Sequence, residues 1–260
     1  MRARRPMLRA VLLDLDNTLI LFDENAYFQG YLALVKREFS DLMEPSVLVD
    51  KLIAASRKLM DNKGRMTNEE WFMDAFALEA GGERDGLRER FERFYRTEYD
   101  RLRPLVTVAE GAREVVSSLK AMGLALVAAS NPILPLEVQM RRLAWAGLDD
   151  IDFVLVTHLG NMSYLKPQPG FFLEVCGRIG CRPEECLMVG NDPVNDMAAS
   201  LVGMKTYLVT DSLTVDGSQL ALSRSIRNND DSAAVEPDFR GRLLGVPKAA
   251  AELMKAGDRS

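Results

Sequence analysis

Three features of the sequence predict an α/β fold, a doubly wound parallel sheet with an inserted helical cap domain. From residue 105 onward, short apolar runs that end in Asn, Asp, Gly or Pro alternate with amphipathic helical stretches. A run of the same strand-like kind, "AVLLDLDNTL", stands alone near the amino terminus. Between them, residues 23 to 104 show helical spacing of apolar residues and little strand signal.

The first strand covers residues 10 to 15, and its aliphatic run marks it as buried. Four amphipathic helices follow in "AYFQGYLALVKREF", "PSVLVDKLIAASRKLM", "TNEEWFMDAFALEA" and "ERDGLRERFERFYRTEYDRL". In the last, Leu87, Phe91, Phe94 and Leu102 share an apolar stripe while arginines and glutamates face out. The chain returns to the sheet at Pro104. Strands are then expected in "GLALVAAS" (123–130), "IDFVLVT" (151–157), "ECLMVG" (185–190) and "MKTYLVT" (204–210). The stretches between them, "AEGAREVVSSLKAMG", "LPLEVQMRRLAWAG", "PGFFLEVCGRIG" and "PVNDMAASLVG", read as helices ending at glycine. Strand and helix alternating in this way require a parallel sheet covered on both faces. The polar stretch "SIRNNDDSAAVEPD" (225–238) reads as a loop and "VPKAAAELMKAG" as a closing helix. The expected organisation is a core of residues 1–22 and 105–260 interrupted by a helical cap of residues 23–104.

Composition narrows the function classes. A chain of 260 residues, 47% hydrophobic and 27% charged, can bury a full core. Its net charge of −5 argues against nucleic acid as a partner, which calls for a basic stripe. No uncharged run has the length of a membrane span. The basic start "MRARRPMLRA" is followed by Asp14 and Asp16 rather than by a cleavage site, so the expected location is cytoplasmic. Cys176, Cys181 and Cys186 form no CxxC pair and lie apart from His158, and they read as reduced structural thiols.

Ligands of open parallel sheets bind beyond the carboxyl ends of the strands. Those ends carry Asp14, Asp16 and Thr18, then Ser130 and Asn131, then Lys166, then Asn191, Asp192 and Asp196. Carboxylates at the end of a buried strand need either solvent or a cation. Mg²⁺ takes one or two carboxylates together with a phosphate oxygen, and a lysine with small polar groups orients the remaining phosphate oxygens. Asp14 at the strand end is placed to attack phosphorus, and Asp16 just beyond it to exchange a proton with the leaving oxygen.

These motifs resemble those of the haloacid dehalogenase superfamily. "DLDNT" matches its DxDxT motif, "ASN" its second motif, "LKPQPGFF" its lysine motif and "GNDPVND" its acidic fourth motif, in that order and at strand ends. The resemblance covers residue 8 to about 210. It implies that Asp14 is nucleophile and metal ligand, and that Asp16 is general acid and base, touching Mg²⁺ through its backbone carbonyl. It further implies that Lys166 restrains the charge of Asp14, that Thr18, Ser130, Asn131 and Lys166 bind phosphate, and that Asp192 completes the metal site with Asn191 and Asp196 behind it. The helical insertion is similar to the cap that closes over substrate in the small-molecule enzymes of that superfamily.

One motif departs from the common pattern, in which Asp directly follows the glycine; here Asn191 stands there and Asp192 comes next. Either Asp192 is the ligand, or Asn191 coordinates through its amide oxygen and the metal site is weaker. Ser130 and Asn131 also suit a helix cap, and His158 a plain loop position. The function expected is a Mg²⁺-dependent phosphatase of a small phosphorylated metabolite. A phosphomutase keeps the same residues, whereas a 2-haloacid dehalogenase generally lacks an acid at the position of Asp16, and a non-catalytic binding protein would have lost key residues.

Overall fold

The structure, a computed structural model, describes residues 7–211 and 234–258. Six strands form one parallel sheet: β1 (Ala10–Leu13), β4 (Ala125–Ala128), β5 (Leu155–Val156), β6 (Cys186–Gly190), β7 (Lys205–Val209) and β8 (Phe239–Gly241). Their spatial order is β5-β4-β1-β6-β7-β8. The chain builds outward from β1 through β4 to β5, then crosses back to β6 on the other side. The order therefore reverses at β1, which is where such sheets open a crevice for ligands. Leu13 pairs with Ala128 on one side and Val189 on the other, so Asp14, Ser130 and Asn191 emerge from neighbouring strands at one edge.

The alternation of side chains in β1 explains the two layers. Val11 and Leu13 pack with Val115, Val116 and Leu119 of α5 (Ala112–Ala121) and with Val246 and Ala250 of the closing helix α8 (Val246–Asp258). Ala10 and Leu12 face the other way, against Phe171, Phe172 and Val175 of α7 (Pro169–Ile179). Helices therefore cover both faces of the sheet. Helix α6 (Leu136–Trp145) adds Leu143 to the α5 side.

Between β1 and β4 the chain leaves through β2 (Ile20–Leu21) and returns through β3 (Thr107–Val108), which pair antiparallel. The segment between them forms α1 (Glu24–Glu38), α2 (Pro45–Lys58), α3 (Asn68–Ala80) and α4 (Arg84–Thr97). Asp23 caps α1 by accepting from the Ala26 amide at 2.7 Å, and Thr67 with Glu70 forms a capping box on α3. Phe39, Phe76, Phe94 and Tyr99 are fully buried in a core of their own, where Phe39 and Phe76 meet edge to face. At about 1.5–3 kcal/mol for each large apolar side chain buried, this block supplies much of its own stability. It meets the sheet domain through Val138, Leu134 and Trp145, the last stacked on Tyr99.

Two local features differ from the sequence expectation. The stretch 193–203 forms 3₁₀ turns over Met197–Val202 instead of an α-helix. The edge strand β8 has only three residues with an arginine at its centre, too short and polar to signal a strand. Of the expected loop at 225–238, residues 225–233 lie outside the described residues. Cys176, Cys181 and Cys186 are free thiols. No described helix is long and apolar enough to cross a membrane.

Candidate active site

The end of β1 turns sharply. Asn17 adopts a left-handed conformation (φ 54°), which asparagine tolerates better than most residues. Its side chain accepts from the Phe22 amide at 3.0 Å and donates to Glu24 at 3.3 Å. That turn leaves Asp14 only 6% exposed. Lys166 Nζ donates to Asp14 Oδ1 at 2.8 Å, and Thr18 Oγ1 donates to Asp14 Oδ2 at 3.2 Å.

Lys166 also donates to Asp196 Oδ1 at 2.7 Å, so one buried ammonium bridges the first and fourth motifs. Burial works against its charge, but Asp14 and Asp196 more than offset this and hold its pKa above the ordinary lysine value. Asp196 shows the converse: burial pushes its carboxyl up to about 7 against the pull of Lys166, with Asp14 and Asp192 adding to the rise. Gly190 is what lets Asp196 lie there, since a Cβ at that position would come within 2.1 Å of Asp196 Oδ2.

The two residues after Gly190 face different ways. Asn191 Oδ1 lies 3.3 Å from Thr18 Oγ1, beside Asp14. The Asp192 carboxylate accepts from Val194 N at 2.8 Å, Asn195 N at 2.9 Å and Asn195 Nδ2 at 2.7 Å, all within its own loop. On the β4 side, Asn131 Oδ1 accepts from the Lys166 amide at 3.2 Å. The Ser130 hydroxyl is buried and has no hydrogen-bond partner among the described residues. A buried hydroxyl in that position is suited to an anion. His158 accepts from the Gly160 amide through Nδ1 and is not among the residues lining the cleft.

A cavity of about 360 Å³ runs from Asp14, Asp16 and Lys166 into the helical block. Two lining residues that carry charge close to the catalytic aspartates, Arg142 and Glu24, were not singled out from the sequence. Arg142 of α6 is 1% exposed, ion-pairs with the Asp16 carboxylate and donates to Gln139 Oε1 at 3.1 Å. Burial lowers its pKa to about 10, against the opposing charge of Asp14. Its signal was its place four residues after Val138, on the apolar stripe of α6 where an arginine needs a reason. Glu24, the first residue of α1, has its carboxyl pushed up to about 7 by burial, with Asp192 and Asp14 adding to the rise while the Asn17 hydrogen bond opposes it. Nothing in the local sequence marks Glu24.

Among the described residues no group of three or more His, Cys, Asp and Glu side chains is spaced to hold a metal ion. The oxygen donors nevertheless suit a hard cation. The Asp14 carboxylate and the Asn191 amide oxygen both approach Thr18 Oγ1, and Mg²⁺ needs only one or two protein carboxylates when water and phosphate complete its shell.

A family model described as haloacid dehalogenase-like hydrolase matches residues 8–202. Over 163 residues the chain is 35% identical to a phosphoserine phosphatase of Thermus thermophilus, covering 62% of this chain and 56% of that protein. Over 223 residues it is 28% identical to a ribulose-1,5-bisphosphate 5-phosphatase of Halopiger xanaduensis, covering 83% and 90%. The match thus spans little more than half the length of the first of these relatives. A solved 2-haloacid dehalogenase of Pseudomonas syringae pv. Tomato aligns with a TM-score of 0.57 at 19% identity, over 95% of this chain and 99% of that one, a likeness of fold alone.

Proposed function

Because the chain belongs to the haloacid dehalogenase-like hydrolases, we propose that it is a Mg²⁺-dependent phosphatase of a small phosphorylated metabolite, working through a phosphoaspartyl intermediate on Asp14. The observation that carries this reading is the arrangement around Asp14: one carboxylate oxygen on Lys166, the other on Thr18, with the unpartnered Ser130 hydroxyl at the end of the adjoining strand. In the proposed reaction an Asp14 oxygen bonds to phosphorus as the bond from phosphorus to the ester oxygen breaks. Asp16 gives its proton to the departing oxygen. It then takes a proton from the water that attacks the phosphoaspartate, returning Asp14 as a carboxylate and releasing phosphate. Lys166, Ser130, Asn131 and Thr18 hold the phosphoryl oxygens.

Asp14 through its carboxylate, Asp16 through its backbone carbonyl and Asn191 through its amide oxygen would hold the Mg²⁺. When bound, the ion offsets charge on the phosphoryl oxygens. Asn191 is preferred to Asp192 here because Asp192 would have to give up three hydrogen bonds of its own loop. Residues 23–104 act as a cap, since the cavity is walled jointly by the strand-end loops and by α1 to α4. The test is phosphate release from a panel of phosphorylated metabolites, with Mg²⁺ and with chelator. The reading expects Mg²⁺-dependent release and an intact-mass increment of one phosphoryl group on Asp14. Undiminished turnover by Asp14→Asn would overturn it, and transfer of phosphate to a sugar in place of water would make the enzyme a mutase.

A further inference from the structure

The cap side of the cavity has a chemical character that the catalytic residues do not explain. Tyr27 and Tyr31 of α1 and Tyr95 and Tyr99 at the end of α4 and just beyond it line it. Their hydroxyls are used on each other: Tyr27 pairs with Tyr99, and Tyr31 with Tyr95 at 3.1 Å. Each pair shares one hydrogen bond, and Phe28, Phe91, Leu52, Ile53 and Ile133 add ring and aliphatic surface that offers a ligand no hydrogen-bonding group. Charged residues line the cavity as well. Glu92 and Glu137 are exposed, and Arg88 is paired with Glu69 at 3.0 Å. A sugar or other polyol laid against the ring and aliphatic wall would leave hydroxyls on that side without partners, at about 1–3 kcal/mol for each. An apolar body loses nothing of that kind and gains contact with the rings.

We propose that the ester cleaved at Asp14 is the phosphate of an apolar alcohol with a flat or aromatic body, seated between the tyrosine pairs and the Ile53 and Ile133 side chains. This rests on the phosphatase reading above. The substrate class differs from the polar esters named for the two curated relatives.

The test compares 2-phenylethyl phosphate with glucose 6-phosphate and phosphoserine, three alkyl esters of similar leaving-group basicity, so that kcat/KM reports the cavity and not intrinsic reactivity. Expected is a preference of roughly tenfold or more for the phenylethyl ester, the scale on which apolar pockets discriminate. Ile53→Asn should reduce that preference about tenfold, and Ile133→Asn provides the same comparison should the first variant fold poorly. A preference for glucose 6-phosphate or phosphoserine, or variants that leave the ratio unchanged, would overturn the proposal. Calorimetric titration of Asp14→Asn with the same esters separates the two readings. If no ester is turned over, the phosphatase reading falls, while tighter binding of phenylethyl phosphate than of glucose 6-phosphate still supports the cavity assignment and equal or reversed binding defeats it.

Discussion

A carboxylate as deeply enclosed as Asp14 persists only because a cation is fixed against it, and Lys166 serves two such carboxylates at once. Asp14→Asn removes the nucleophile but leaves Lys166 its bond to Asp196. Phosphate release should therefore fall to background while thermal unfolding stays cooperative, which activity assays and calorimetry read separately. Asp16 and Arg142 permit a finer separation. Asp16→Ala removes the proton donor, an expected loss on the order of 100- to 10,000-fold in turnover. It also strands the guanidinium of Arg142 in the core, which should cost about 2–3 kcal/mol, below the full cost of breaking a buried pair because Asp16 itself is partly exposed. Adding Arg142→Met to Asp16→Ala should restore most of the melting temperature and none of the activity. Recovery of activity in the double variant would show that Asp16 acts only by neutralising Arg142.

The loop that leaves β6 shows how far an element could be read from its residues. The sequence marked Gly190, Asn191, Asp192 and Asp196 as a metal-binding motif, and the structure brings Asn191 and Asp196 to Thr18 and Lys166 beside Asp14 while Asp192 bonds within its own loop. Which side chain turns inward was not legible, because that depends on Asp192 folding back onto Val194 and Asn195. The four long helices and five of the six sheet strands could be read from apolar spacing, whereas β8 could not, since three residues carry no period. The tyrosine pairs were hidden for another reason. Spacing of four, as in Tyr27 and Tyr31 or Tyr95 and Tyr99, shows that two rings share a face but not that the faces meet across a cleft. Two changes test the loop. Gly190→Ala sets a Cβ against the Asp196 carboxylate, and a cost of about 1–3 kcal/mol is expected together with loss of activity. Asn191→Asp adds a charge where the amide oxygen now stands, so Mg²⁺ affinity measured by calorimetry should rise roughly tenfold, while Asp192→Asn should change it much less. The reverse ranking would move the ligand to Asp192.

At the scale of the whole molecule, the cleft gathers negative charge between two bodies that each have their own core, and this should set how stability responds to pH. Glu24 stands where the cap helix α1 begins, with Asp14, Asp23 and Asp192 around it. Burial pushes its carboxyl from 4.5 to about 7. Across that window the folded protein holds a proton that the unfolded chain has lost, so each step upward in pH favours unfolding. Asp41, whose carboxyl is held near 2 by its hydrogen bond to Arg90, and Glu70 and Glu79, which also lie below their ordinary value, contribute with the opposite sign. Their stabilisation is lost only under more acid conditions, outside the window in which Glu24 titrates. The melting temperature measured in chelator should thus fall between pH 5 and pH 7.5 by more in the wild type than in Glu24→Gln, which keeps the hydrogen bond from Asn17 without the charge. Mg²⁺ should narrow the difference by offsetting the charge that Glu24 adds beside Asp14. Identical pH profiles for the two proteins in chelator would mean that Glu24 is already ionised in the fold and that the approach of α1 to the strand ends carries no electrostatic cost.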